Sequence, residues 1–510
     1  MSDTVTSYDE VPYDSKPHFP THPDCLCTAA RLRGLQAAAP SNCRVLELGC
    51  ATGGNLIPMA YGLPGSRFVG IDLSSTQVAA GQELCRRLEL NNIELKAASI
   101  ADLDESWGKF DYITCHGVYS WVPPAIQEKI LWICRNLLTP SGVAYISYNT
   151  YPGWHLRSIV RELMRYHTAR FDDPQTKVHQ ARSILTFMAR ASASLDSPLS
   201  RLLANEAESL PELPDFYLFH EHLEESNSPL YFHQFVARAR AAGLEYLGEA
   251  WNHTQVDNLP PDVQEALQDI SSDLIDLEQF VDVIRSRTFR RTLVCHREAR
   301  IVQTPEPSVM DQMHLMALAR PDSAEPDVRS QTSEKFHLDD GTAATTNNPL
   351  LKAALLELFS QWPGTVPFAD LLAASVERAG LSSEQRGALR PYLAALLVQG
   401  YVSHMISVHT EPFPYTAKIS ERPRASRLAR AMATNQARVP SLRHRVTVLS
   451  PADRIIVALA DGTRTASQIA AAAAAHRSAA PELAGIAPGD WPALTAEGLE
   501  RMAKTALLEA

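Results

Sequence analysis

The run Val45-Leu46-Glu47-Leu48-Gly49-Cys50-Ala51-Thr52-Gly53-Gly54-Asn55 carries the clearest chemical signal in the chain. An apolar strand ends in an acid, turns through glycine and leads into a helix. Gly49 and Gly53 let the backbone pass close to a ligand. A dinucleotide turn needs G-x-G-x-x-G, with the last glycine packing helix on strand, and that spacing is missing. Glu47, on the strand just before the first glycine, suits a ligand with a cationic sulfonium and an ammonium group. Cys50 and Asn55 flank the turn and are expected at the same ligand.

Three partners follow at strand ends. Asp72, in Gly70-Ile71-Asp72-Leu73-Ser74, closes the next strand. A carboxylate there accepts both ribose hydroxyls at once, with Leu73 beside it. Ser99 and Ile100, in Ala97-Ala98-Ser99-Ile100-Ala101-Asp102, stand where an adenine base would lie. Phe110-Asp111-Tyr112-Ile113 opens onto His116-Gly117-Val118-Tyr119-Ser120-Trp121. Together these features point to S-adenosylmethionine as the cofactor.

The methyl acceptor needs a lone pair held about 3 Å from the methyl carbon. A lysine must first lose its proton, and an apolar, aromatic pocket favours that by desolvation. Aromatic faces also hold cationic amines. His116, Tyr119 and Trp121 follow the fourth strand, while Tyr148, Tyr151 and Trp154 follow the fifth. All six are expected around one acceptor pocket at the carboxyl edge of a sheet.

The elements that must position them alternate. Strands are predicted at Arg44–Leu48, Arg67–Ile71, Ile93–Ala97, Phe110–Cys115 and Gly142–Tyr148, with helices over Asn55–Tyr61, Thr76–Leu90 and Pro124–Leu138. Such alternation implies a doubly wound parallel sheet, an α/β fold. The expected organisation is an arm over 1–40 whose Tyr8 and Tyr13 close over the cofactor, a Rossmann-like domain over 41–165 and a mostly helical domain over 166–302. A polar linker over 303–348 and a C-terminal unit over 349–510 follow, the latter a winged helix or an all-α packing module.

Composition narrows the function. The formal net charge of -11 argues against a general nucleic-acid binder and suits basic, lysine-bearing partners. Asp/Asn-Pro-Pro-Tyr/Phe, the mark of adenine-N6 enzymes, does not follow the fourth strand, and Cys115 lies inside that strand rather than at a nucleophile's position. Eight scattered cysteines without zinc spacing read as free thiols, so no metal is expected. The acidic N-terminus lacks a signal peptide's basic and apolar regions, and no run of about 18 apolar residues occurs. A cytoplasmic protein without membrane insertion is expected.

Residues 44–150 resemble the seven-strand class I methyltransferases. The arm with Tyr8 and Tyr13, the CATGGN turn, and the HGVYSW and YNTYPGW segments make residues 8 to about 300 similar to a narrower group. These are the methyltransferases with a methyltransferase regulatory domain, which include the rickettsial lysine methyltransferases of outer-membrane proteins. The C-terminal third is similar, more loosely, to that group's winged-helix-like domain. The resemblance implies that Glu47, Gly49 and Gly53 face the methionine part of the cofactor and that Asp72 holds the ribose. Ser99 stands where the class has an acid, and Ala51 where it has a middle glycine.

The resemblance also implies protein-lysine N-methylation, with the accessory domains holding a secreted or outer-membrane protein substrate. The expected partners are that protein and, in assembly, a second copy as a homodimer, with no nucleic acid. A small-molecule N/O-methyltransferase and a cofactor-binding regulatory scaffold stay open as alternatives.

Overall fold

Short apolar runs build strands buried on both faces, as a parallel sheet covered by helices requires. The computed structural model describes residues 11, 13–250, 259–476, 483 and 486–509. Tyr8, expected at the cofactor, lies outside the described residues.

The central sheet has seven strands: β1 (Arg44–Leu48), β2 (Arg67–Asp72), β3 (Ile93–Ala97), β4 (Phe110–Cys115), β5 (Leu138–Asn149), β6 (Leu244–Glu249) and β7 (Phe289–His296). Their order is β3-β2-β1-β4-β5-β7-β6. β7 runs antiparallel to both neighbours, while β1 to β5 pair in parallel. Order therefore reverses between β1 and β4, and a crevice opens at the carboxyl ends there. One sheet face packs Val45, Tyr112 and Tyr145 under α1 (Pro23–Arg31) and α2 (Leu56–Gly62). The opposite face packs Leu46, Ile113, Ile146 and Tyr148.

Caps set several helix starts. Ser74 accepts from the Gln77 amide to start α3 (Ser75–Leu88). α4 (Pro124–Leu137) precedes β5. α5 (Gly153–Thr168), α6 (Pro174–Ser192) and α7 (Pro198–Ser209) build the first part of the middle region, with Asp173 and Ser197 as caps. After α8 (Phe232–Ala241) come two consecutive helices, α9 (Pro261–Ile270) and α10 (Leu274–Ile284). Asp273 explains the break, since its carboxylate accepts the amides of Ile275 and Asp276 and starts a new helix.

Two boundaries differ from the sequence reading. The middle region is not separate from the sheet, because it contributes β6 and β7. Nor is 303–348 a free linker. Met310, Met313 and Leu315 are buried in one core with the helices Pro349–Gln361, Phe368–Arg378 and Arg386–Val402. Their spacing among polar residues hid them from a compositional reading. The strand that follows is short, Ser407–His409, because the last of these helices runs on to Val402.

The last unit has helices Arg427–Ala433, Pro451–Leu459, Ala466–His476 and Trp491–Lys504, and an antiparallel hairpin of Arg438–Pro440 with Val446–Val448. This arrangement is a winged helix with the hairpin as its wing. It docks on the sheet domain. The preceding unit docks there as well, through buried Asp24, which accepts from His409 Nδ1 and from the Thr410 amide, both at 2.7 Å. Tyr61 meets Glu509, and its hydroxyl accepts the Arg427 amide at 2.9 Å.

Candidate active site

The turn after β1 is held by left-handed backbone at Gly49, Ala51 and Gly53, with φ of 76°, 49° and 75°. The amides of Gly49 and Cys50 both donate to the Ile71 carbonyl at 2.9 Å, which folds the turn over the end of β2. Gly49 is also forced by packing: a Cβ there would stand 2.5 Å from Val118 Cγ2. Cys50 is buried, its thiol filling the space over Gly70.

Asp72 ties the crevice together. Its Oδ2 accepts the Ala51 amide at 2.8 Å and its Oδ1 the Ser74 amide at 2.9 Å. A carboxylate offers about four acceptor positions, so capacity remains for hydroxyls. Leu73 beside it is exposed. Ser99 Oγ accepts the Ala101 amide at 3.2 Å, capping the short turn of which Ile100 is the buried first residue.

Glu47 is the most unusual group here. It is buried, and Asn55 Nδ2 donates to its Oε1 at 2.6 Å, but its Oε2 is enclosed without a hydrogen-bond partner. Burial pushes the carboxyl up to about 8, against the Asn55 donor. An enclosed carboxylate oxygen lacking a donor is complementary to a cation.

The N-terminal arm crosses this turn. Gly54 donates its amide to Ser15 Oγ at 2.9 Å, and any Cβ on Gly54 would collide with the Ser15 carbonyl. Tyr13 lies edge-on to Phe216 at 5.3 Å and tilted on His220 at 6.1 Å, so it anchors the arm to the middle region. A cavity of about 340 Å³ lies behind the turn, between Tyr13–Pro17 of the arm, α3 and the winged helix.

Beyond the turn, His116 places its Nδ1 2.8 Å from the Tyr145 hydroxyl, and its ring lies 3.9 Å from that of His18 on the arm. Burial holds both imidazoles neutral, His18 at about 4. His18 was missed by the sequence reading. A lone histidine in an arm has no periodic signature.

The six aromatic and histidine residues do not share one volume. Tyr119 and Tyr148, expected at the pocket wall, are enclosed in the sheet core with Phe235. Tyr148 stacks on Phe235 at 4.3 Å, and its hydroxyl is 3.1 Å from Thr292 Oγ1. Alternation along β5 explains this: Tyr148 and Ile146 face one core while Tyr145 faces the other. Trp154 is buried edge-on to the half-exposed Trp121, at 6.2 Å. Tyr151 stacks on His155 at 4.0 Å, and Tyr231 lies 5.3 Å away, forming a separate, more open aromatic group.

Among the described residues no group of three or more His, Cys, Asp or Glu side chains could hold a metal ion, and all eight cysteines are free.

The chain is similar to known proteins over its whole length. Residues 39–189 match the family described as a methyltransferase domain. Residues 214–296 match the predicted methyltransferase regulatory domain, and 421–483 the PKMT C-terminal winged helix domain. An uncharacterized protein of Rickettsia prowazekii is 37% identical over 404 residues, covering 78% of this chain and 73% of its own. A second from that organism is 42% identical over 241 residues, covering 47% of this chain and 96% of its own. The solved structure of PKMT2 from Rickettsia typhi is similar over 98% of this chain and 100% of that one, at 30% identity and a TM-score of 0.84. The same protein in complex with AdoHcy gives a TM-score of 0.83.

Proposed function

We propose, from the premise that this chain belongs to the class I S-adenosylmethionine-dependent methyltransferases with a methyltransferase regulatory domain and a PKMT winged helix, that it methylates lysine side chains of proteins. The observation that carries this reading is the whole-length likeness to PKMT2, sheet domain, middle region and winged helix together.

The residues present fit the cofactor. When bound, S-adenosylmethionine supplies a sulfonium methyl whose carbon takes the lysine nitrogen's lone pair while the carbon–sulfur electron pair stays on sulfur. Glu47, with its unpartnered Oε2, is assigned to the cofactor's ammonium group. Gly49, Cys50 and Gly53 offer a backbone close enough to follow the methionine part. Asp72 is assigned to the ribose, with Leu73, Ser99 and Ile100 along the adenine. Ser15, His18 and Tyr13 of the arm close the turn from water.

The acceptor's side is assigned to His116 and the open aromatic group. Neutral His116 and His18 add no positive charge to repel a lysine ammonium. The partly exposed Trp121 and Tyr151 offer faces and edges for the side chain's approach, with Trp154 packed behind Trp121. Among the described residues no helix is long and apolar enough to cross a membrane. We place the enzyme in the cytoplasm, acting on secreted or outer-membrane proteins before export, with a second copy of the chain as its partner in assembly.

The test uses the purified chain and cofactor labelled in the methyl group, offered a denatured protein mixture and, separately, a metabolite pool. Hydrolysis of labelled protein should return methylated lysine. Label confined to small molecules would replace this reading with a metabolite methyltransferase.

A further inference from the structure

The side-chain amide of Asn55 is approached from the arm, from the winged helix and from β1. From the arm, the His18 backbone N–H donates to Asn55 Oδ1 at 2.8 Å. From the end of the arm, Thr21 Oγ1 donates to the His18 carbonyl at 2.7 Å and accepts from Asn55 Nδ2 at 3.0 Å. From the winged helix, His444 Nε2 lies 2.8 Å from Asn55 Oδ1. The second Nδ2 hydrogen goes to Glu47 Oε1.

These contacts set the orientation of the amide and the tautomer of His444. The His18 N–H can only donate, so the amide atom facing it is the oxygen. His444 Nε2 faces the same oxygen and therefore carries the hydrogen. His444 Nδ1 is left buried with no hydrogen bond, its ring 5.2 Å from that of His22. With Nε2 protonated and Nδ1 lacking an acceptor, the ring is the neutral tautomer, as burial beside His22, His18 and Arg445 also favours.

His444 reaches this position because it sits at the tip of the wing, between strands Arg438–Pro440 and Val446–Val448. Its φ of 54° is left-handed, a region in which histidine is several-fold enriched among non-glycine residues. The Ser441 amide donates to the Arg445 carbonyl and the His444 amide to the Ser441 carbonyl, which tightens the turn. Arg445 lies 4.0 Å over the Phe19 ring and helps seat the tip on the arm.

We propose that His444 is a positioning residue of the cofactor site: by donating to Asn55, the wing tip holds the amide that aims the Glu47 carboxylate. The proposal rests on the reading of Glu47 as the cofactor's partner.

The experiment titrates S-adenosylhomocysteine onto the full chain by calorimetry, across a pH range. His444→Phe keeps a ring without a donor, and His444→Ala removes the ring. Both should bind about tenfold more weakly, the effect of one lost buried hydrogen bond. His444→Gln, whose amide nitrogen can reach the place of Nε2, should stay within about threefold. Tyr61→Phe removes docking contacts of the same unit without touching Asn55 and should bind as the parent does. The pH at which affinity levels off should move up in His444→Phe and stay in Tyr61→Phe, because only the former loosens the donor on Glu47. Unchanged affinity in both donor-less variants, equal losses in His444→Gln, or equal losses in Tyr61→Phe would each overturn the proposal. A parent chain that binds no S-adenosylhomocysteine at any pH would instead sink the cofactor reading itself, and the proposal with it.

Discussion

Two buried acidic sites in this molecule are treated in opposite ways. Behind β5, Arg290 is surrounded by Glu249, Glu278 and Asp282, and all five of its N–H donors are used. Arg287 adds a second cation on Asp282 at 2.9 Å, and the Arg290 guanidinium lies 3.6 Å over the Phe232 ring. At the end of β1, Glu47 is equally enclosed but has one amide donor and no cation. A buried charge is retained only when paired. The first site is closed upon itself and serves the fold, joining β6, β7 and α10. The second is short of a positive charge that the chain does not supply, which is how a binding site for a cationic ligand differs from a structural ion cluster.

The sharpest way to break this contrast is Arg290→Met. It strands three carboxyl groups in the core and should cost ~3–5 kcal/mol, lowering the first unfolding transition in a denaturant titration. A shift within the error of the parent would mean that the cluster takes up protons or water and is no keystone. Next in size, Asp72→Ala should leave the fold intact and weaken cofactor binding by ~1–3 kcal/mol in calorimetry. Unchanged affinity would confine Asp72 to pinning Ala51 and Ser74.

Glu47→Gln tests the unpaired acid directly. Burial raises the free carboxyl to about 8, whereas the cofactor's ammonium favours the carboxylate. Binding should therefore tighten as pH rises and level off near the raised value, by up to about tenfold per unit below it. Glu47→Gln should flatten that profile and lose ~1–2 kcal/mol of affinity above the plateau. The stability effect has the opposite sense. With a raised folded-state pKa, Glu47's contribution is present at low pH and is lost as pH climbs through about 8. Without cofactor, Glu47→Gln should thus melt no lower than the parent at high pH. A parallel pH profile in the variant would assign the titration to another group.

The part of this design carried by local pattern was legible in the sequence. The strand–acid–glycine run, Asp72 at the next strand end and the alternation through β5 each follow from neighbours in the chain. What was not legible depends on packing between distant segments. His444 meets Asn55 across 389 positions, and no spacing marks a histidine destined for a wing tip. The polar stretch at 303–348 hid Met310, Met313 and Leu315, whose partners lie on later helices. The aromatic cluster misled because six such residues after two strands can face either side of the sheet. Period-two alternation already puts Tyr145 and Tyr148 on opposite faces, which is how Tyr148 joins the core.

Tyr148 leans on the first of these acidic sites, and it gives the smallest effect. Its hydroxyl meets Thr292 Oγ1, which donates to Glu249 Oε1 at 2.8 Å, so the strand that ends at the active site hangs from the Arg290 cluster. Tyr148→Phe keeps the stacking on Phe235 and removes one hydrogen bond, for an expected ~0.5–1.5 kcal/mol of stability. Turnover and cofactor affinity should stay close to those of the parent, since the ring is sealed from the crevice. A large fall in turnover with stability unchanged would return Tyr148 to the acceptor pocket, and the buried hydroxyl would then act on the reacting lysine rather than on the fold.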